Sequence, residues 1–470
     1  MRCILLFSVV LVAPPAVFSQ ATPQAAAAQK LETGKILPRI PCAAHPDQTY
    51  ALYLPSNYSS DRAWPLVLSS DPAARGSVPL ELQKEAAEKF GYVLASSNNS
   101  RNGPNKARLE ATEATLTDVQ QRVSIDTRRV YLAGFSGGAR FSSQIAQSCR
   151  CSAGVLLDGA GFSNGQPLAA DAPFPVFSAI GILDFNYSEV IPLQDALAKA
   201  DYARWLRVFD GAHDWAPAEV MAEAFEWLRI QSIKAKREPR DDAFLEMQFT
   251  KMQARALSFE QSGDLLSAWR EYQQVASTFD SLRDVGALRA KADALGKDKA
   301  VREALKREQS DFAEETKLIS QITSSFDLPA ESPGQRAEAE TDLHDNIASL
   351  RMNAEHEKRP ERARIYKRAL AGVFVGAMEA GNSALDGKNF EHAARLFDIA
   401  ARVKPDSQWA WRQFAVAAAL GGQRKEAVGA LLKARSLATN KDEFAKWCGG
   451  EPAFAKLRSS TEFGQFLQTN

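Results

Sequence analysis

The sequence predicts an α/β protein, a mostly parallel sheet flanked by helices, followed by an all-α half. Three observations lead there. From about residue 49 to residue 231, short apolar runs alternate with helical periodicity. One strand-to-helix junction reads Gly134-Phe135-Ser136-Gly137-Gly138. From about residue 240 the strand pattern stops, and charged, alanine-rich helical sequence takes over. Short buried strands interleaved with helices build a parallel sheet covered on both faces. At 470 residues the chain has room for two or three domains of about 150 residues each.

The elements follow in order. "TYALYLPSNY" alternates and ends in a turn, "WPLVLSS" is a continuous apolar strand, and "PLELQKEAAEKFG" is a short amphipathic helix closed by Gly91. "YVLASS" is the next strand, and "NKARLEATEATLTDVQQRV" is a helix of good formers with apolar residues near i, i+3 and i+4. "RRVYLAGFS" is a strand and "GGARFSSQIAQS" its helix; "AGVLLDGA" and "FPVFSAIGILD" are strands. "VIPLQDALAKA" is a helix, "ARWLRVFDG" a strand and "PAEVMAEAFEWLRIQ" the closing helix. This block spans residues 38–235.

The helical half divides at "DLPAESPGQRAE", a linker over 327–338, into blocks at 240–326 and 339–470. Within the second block, "GKNFEHAARLFDIAARVKPDSQWAW" and "GGQRKEAVGALLKARSLATN" align at a spacing of 34 residues. Ala393 then matches Ala427, Phe397 matches Leu431, and Ala400 matches Ala434. Such units cannot bury their apolar faces alone, so neighbours stack. The period resembles that of the tetratricopeptide repeat, which implies a groove for a protein partner; "EPAFAKLRSSTEFGQFL" reads as a terminal cap.

Composition excludes some functions. Apolar residues make up 45%, enough for ordinary cores, and Lys+Arg and Asp+Glu both number 57, so the net charge is +0. That balance lacks the basic excess of a nucleic-acid binder and gives no pull toward an anionic membrane. The N-terminus, "MRCILLFSVVLVAPPAVFSQATPQ", has a basic start, a short apolar core and small residues after Pro14-Pro15. It reads as a secretory signal peptide over 1–19, followed by a linker over 20–37. The apolar run is shorter than the roughly 20 residues a span needs. The mature chain is therefore expected in the periplasm or outside the cell, with no membrane span.

An oxidising compartment permits disulfides. Beyond the signal lie Cys42, Cys149, Cys151 and Cys448, and a bridge from Cys42 to Cys149 or Cys151 is expected because all three fall in the first domain. Cys149-x-Cys151 has no second Cys or His pair nearby to complete a metal site.

The chemistry centres on Ser136. Gly134-x-Ser136-x-Gly138 sits between an apolar strand and a helix, the setting of a nucleophile elbow. Glycines there let neighbouring backbone come close, and the free N–H groups of a helix start favour developing negative charge. A serine hydroxyl needs a base. Of five histidines, His344, His356 and His392 lie in the helical half and His45 precedes the first expected strand. That leaves His213, between the last strand and the last helix. The imidazole needs an acid, and the chain order Ser, acid, His belongs to this fold. Asp184, just past an apolar strand, is best placed; Asp158 also follows a strand, directly after the elbow helix.

With "RRVYLAGFSGGA", "GILDFNY" and "FDGAHDWAPAEVMAEAFEWL" in place, residues 38–232 resemble the α/β-hydrolase superfamily. The branch they look most like is the polyhydroxybutyrate-depolymerase and feruloyl-esterase-like group, with dienelactone-hydrolase-like enzymes near it. The resemblance implies Ser136 as nucleophile, Asp184 as acid and His213 as base, acting on carboxylic esters without metal or cofactor. It departs from the family at "PLVLSSDPAARG", where Asp71-Pro72 stands in place of the usual His-Gly. Proline has no N–H to offer, so the expected oxyanion donors are the N–H groups of Gly137 and Ala73. Arg75 either assists or pairs with Asp71. The loop "SSNNSRNGPNKA" over 96–107 should line the site, with Asn99 a candidate substrate contact. Two other readings compete: a degenerate hydrolase platform whose repeats recruit a partner, and a peptidase of the same fold.

Overall fold

The computed structural model describes residues 31–163, 168, 173–327, 333–458 and 463–464. The expected signal peptide, most of the linker at 20–37 and the centre of the linker at 327–338 lie outside the described residues.

The chain runs β1 (Ile36–Pro41), β2 (Thr49–Tyr53), β3 (Trp64–Ser70), α1 (Ser77–Phe90), β4 (Val93–Ser97), α2 (Asn105–Arg122) and β5 (Ile125–Phe135). It continues α3 (Gly137–Cys149), β6 (Val155–Asp158), β7 (Val176–Gly181), α4 (Tyr187–Lys199), β8 (Arg204–Phe209) and α5 (Ala218–Lys234). The strands form one eight-stranded sheet in the order β1-β2-β4-β3-β5-β6-β7-β8. β2 is antiparallel to β1 and β4, and the remaining pairings are parallel. With helices on both faces, this is the α/β-hydrolase arrangement. Every residue of β2, β3, β4, β6 and β7 is buried, which explains their near-continuous apolar runs. β1 was not among the expected strands. Pro38 and Pro41 break its ladder donors, and a sheet edge is where such a strand is tolerated.

The expected Cys42 bridge is not formed. Cys149 and Cys151 are bonded to each other, with their Cα atoms 5.1 Å apart, and Cys42 is a buried free thiol. The topology gives the reason. Pro41 pairs with Thr49 and Tyr50 with Ser97, so Cys42 lies at the carboxyl end of the parallel strands. α3 runs back down the sheet, leaving Cys149 near the opposite end, before β6 begins.

The helical half comprises α6 (Asp242–Gln261), α7 (Leu265–Phe279), α8 (Gly286–Lys297), α9 (Lys299–Thr323), α10 (Pro333–His356) and α11 (Pro360–Asp386). α12 (Phe390–Val403), α13 (Gln408–Leu420), α14 (Arg424–Ser436), α15 (Lys441–Gly450) and a 3₁₀ turn (Pro452–Phe454) complete it. α6 to α8 share one apolar core with a face of the sheet: Trp205, Trp227 and Phe225 pack in the same cluster as Phe249, Phe279 and Leu288. A second core joins α9 to α15. There Ala393, Ala400, Ala427 and Ala434, the positions matched at the 34-residue spacing, are all fully buried. No described helix is long and apolar enough to cross a membrane.

Candidate active site

β5 delivers Ser136 to a strained turn. Its φ is +52° and ψ is −122°, a backbone region that side chains rarely visit. The turn closes because its glycines have no side chains. A Cβ on Gly138 would lie 2.0 Å from the Ser70 carbonyl oxygen, and one on Gly134 would lie 2.3 Å from the Gly138 carbonyl. The Ser136 N–H is held by the Asp158 carbonyl at 2.8 Å.

The three expected residues converge at the carboxyl end of the sheet. Ser136 Oγ lies 2.9 Å from His213 Nε2, and His213 Nδ1 lies 2.9 Å from Asp184 Oδ2. An Nδ1–H tautomer satisfies both bonds, with Nε2 accepting the serine proton. Asp184 is fully buried, and its other oxygen accepts from the Asn186 N–H at 2.8 Å. The acid and histidine loops are laced together: the N–H groups of Ile182 and Leu183 donate to Phe209 and Gly211 carbonyls, each at 2.9 Å. Phe135 and Phe185 flank the imidazole, with ring centroids 4.7 and 4.3 Å away. The alternative acid, Asp158, takes no part in this chain of bonds. One of its oxygens accepts from the Ala216 N–H and the other is buried without a partner. Burial pushes its carboxyl well above the usual aspartate range.

Three of the expected site residues fall elsewhere. The Ala73 N–H, expected in the oxyanion hole, donates to Asp71 Oδ1 at 2.9 Å. The carboxylate sits two residues back and captures the loop's donors, including the Arg75 N–H. Arg75 itself is bidentate to Asp71, at 3.0 and 2.8 Å. Burial would raise the Asp71 carboxyl, but the bonds from Arg75 and Trp215 and from the two N–H groups outweigh it and hold it low. Asn99 turns the other way: its Oδ1 accepts from the Thr49 N–H at 2.9 Å, fastening the start of β2. Gly137 keeps its expected place as the first residue of α3, beside Ser136.

The same loop supplies Asn102 instead. Its N–H bonds the Pro72 carbonyl at 2.8 Å, and its side-chain amide packs so closely on Gly137 that a Cβ there would meet Oδ1 at 2.3 Å and Nδ2 at 2.4 Å. A cleft of about 550 Å³ opens beside Ser136, lined also by Arg108, Arg140, Phe185, Val375 and Glu379. Arg140 is neutralised by Glu189, both oxygens at 2.6 Å. Val375 and Glu379 belong to α11, so the helical half forms one wall of this cleft. α11 is pinned there by Arg368, whose guanidinium bonds Glu315 Oε2 at 2.7 Å and the Ile182 carbonyl at 3.2 Å. Nothing in the α11 sequence marked these contacts, because a helical pattern shows only which face is apolar.

Fold and site together define an α/β-hydrolase framework carrying a Ser–His–Asp constellation. No family model and no curated protein matches this sequence. Among solved structures, a ferulic acid esterase is 14% identical, covering 42% of this chain and 98% of its own, with a TM-score of 0.37. An S-formylglutathione hydrolase from Staphylococcus aureus is also 14% identical, covering 38% and 90%, with a TM-score of 0.32. Esterase B from Lactobacillus rhamnosis is 15% identical, covering 45% and 93%, with a TM-score of 0.35. Similarity this distant bears on neither substrate nor activity.

Proposed function

We propose that the chain is an exported serine esterase. The observation that carries this reading is the unbroken line of hydrogen bonds from Ser136 Oγ through His213 to buried Asp184, at a strained elbow. In the proposed reaction Ser136 Oγ attacks the ester carbonyl while His213 Nε2 takes its proton. Asp184 steadies the imidazolium. The oxyanion is held by the Gly137 N–H and the Asn102 side-chain amide, which replaces the donor that Ala73 spends on Asp71. Collapse of the intermediate expels the alkoxide, which receives the His213 proton. A water, deprotonated by His213, then attacks the acyl-enzyme, releasing the acid and regenerating Ser136.

Incubation with a fluorophosphonate tests the reading. The expected result is one adduct by intact mass, mapped to Ser136 and absent from Ser136→Ala, with ester hydrolysis lost in the same variant. A fully active Ser136→Ala enzyme refutes it.

A second reading is a weakly active platform whose helical half binds a partner. It is favoured by the occupied Ala73 donor and by Trp409 on α13, which is 52% exposed. On that view α11 to α14 form a tetratricopeptide-like stack presenting a groove to a protein segment.

A further inference from the structure

The cleft contains a buried cation that forms no ion pair among the described residues. Arg108 lies in the first turn of α2 and is only 9% exposed. One of its donors is committed: Nη2 bonds the carbonyl of Gly137, the residue after the nucleophile, at 2.8 Å. Its guanidinium carbon lies 4.0 Å from the centroid of the Phe141 ring, and its Nε is buried without a partner. Burial alone, with no neighbouring carboxylate to oppose it, presses its pKa below the usual arginine value.

Other arginines near the cleft, half-buried Arg140 and buried Arg368, are treated differently. Arg140 is paired with Glu189 and Arg368 with Glu315. Arg108 has no such partner among the described residues, and its position makes its charge worse still. It stands near the positive end of α2 and touches the first residue of α3, so two helix starts add to its field. A desolvated charge is costly unless something pairs with it. The cleft offers that place, since Arg108 lines it together with Ser136 and Gly137. Glu379, which also lines the cleft, is exposed, and solvent screens it.

We propose that Arg108 anchors a carboxylate on the substrate. The enzyme then acts on esters whose acyl or alcohol portion carries a free carboxylate a few atoms from the scissile carbonyl. This deepens the esterase reading and rests on it. The planar guanidinium suits a carboxylate better than an ammonium does, because it presents several donors in a fixed fork. The stack on Phe141 and the bond to Gly137 hold that fork still.

The experiment compares two matched pairs on the full chain: monomethyl against dimethyl glutarate for the acyl side, and 4-acetoxybenzoate against its methyl ester for the alcohol side. The expected result is a preference for the charged member of one pair by about tenfold or more in kcat/KM, carried by KM. The pair that shows it identifies the side bearing the carboxylate. Arg108→Gln should erase that preference and Arg108→Lys should restore part of it, with thermal melts confirming that both variants fold. Equal turnover of charged and neutral members overturns the proposal while leaving the esterase reading intact. So does an Arg108→Gln variant that loses both members equally, which would assign Arg108 only to supporting the elbow. No turnover of any ester, with no fluorophosphonate adduct at Ser136, overturns both.

Discussion

Two buried aspartates near the nucleophile are pushed in opposite directions. The bonds Asp71 accepts hold its carboxyl low, whereas burial pushes that of Asp158 well above the usual aspartate range. For an acid whose folded pKa is raised, folding takes up a proton between the ordinary aspartate value of about 3.9 and the folded value. Its effect on stability is therefore most favourable at low pH and declines as pH rises toward the folded value. Asp158→Asn removes that titration. Wild type should lose up to about 1.4 kcal/mol per pH unit relative to the variant across that window. Melting both proteins at pH 5 and pH 8 checks this; a gap that does not widen in the variant's favour at pH 8 contradicts it. The triad residues were legible because strand ends and chain order constrain them. Asn102, and not Asn99, lines the cleft because the course of an irregular loop is set by single bonds, here Asn102 to Pro72, that leave no periodic trace. Arg108 escaped notice because patterning equates charge with exposure.

At the scale of elements, the strand–turn–helix of β5 and α3 is the most constrained unit. Its geometry depends on absent side chains, so Gly138→Ala should be severe: the added methyl collides with the Ser70 carbonyl on β3, a backbone atom that cannot swing aside. A loss of about 1–3 kcal/mol or more is expected from such overpacking, and the proposed esterase activity should fall further as Ser136 shifts. Chemical denaturation and kinetics on the variant check both; wild-type stability would show that the elbow has slack. The sheet's strands were legible from their unbroken apolar runs. β1 was not, because an edge strand is permitted the prolines that argue against a strand anywhere else.

In the whole molecule, the change from α/β to all-α sequence near residue 240 is a change of pattern and not of packing. α6 to α8 complete the core that begins under the sheet, a continuity invisible to composition because both halves are ordinarily apolar. A chain ending at residue 238 should therefore be insoluble, with Trp205 and Trp227 stripped of partners. A chain ending at residue 297 keeps that core but loses the α11 wall. It should stay soluble and, on the proposed esterase reading, hydrolyse bulkier esters than the full chain, an outcome that solubility assays and a substrate-size series will check. The contact of α7 with β8 has one more consequence. β8 ends the sheet, and the Leu206 N–H donates to the Gln274 side chain on α7. An open strand edge is a template on which other chains can extend a sheet. The helical half thus occupies, within one molecule, a surface that would otherwise recruit neighbours, and α7 shields that edge against self-association.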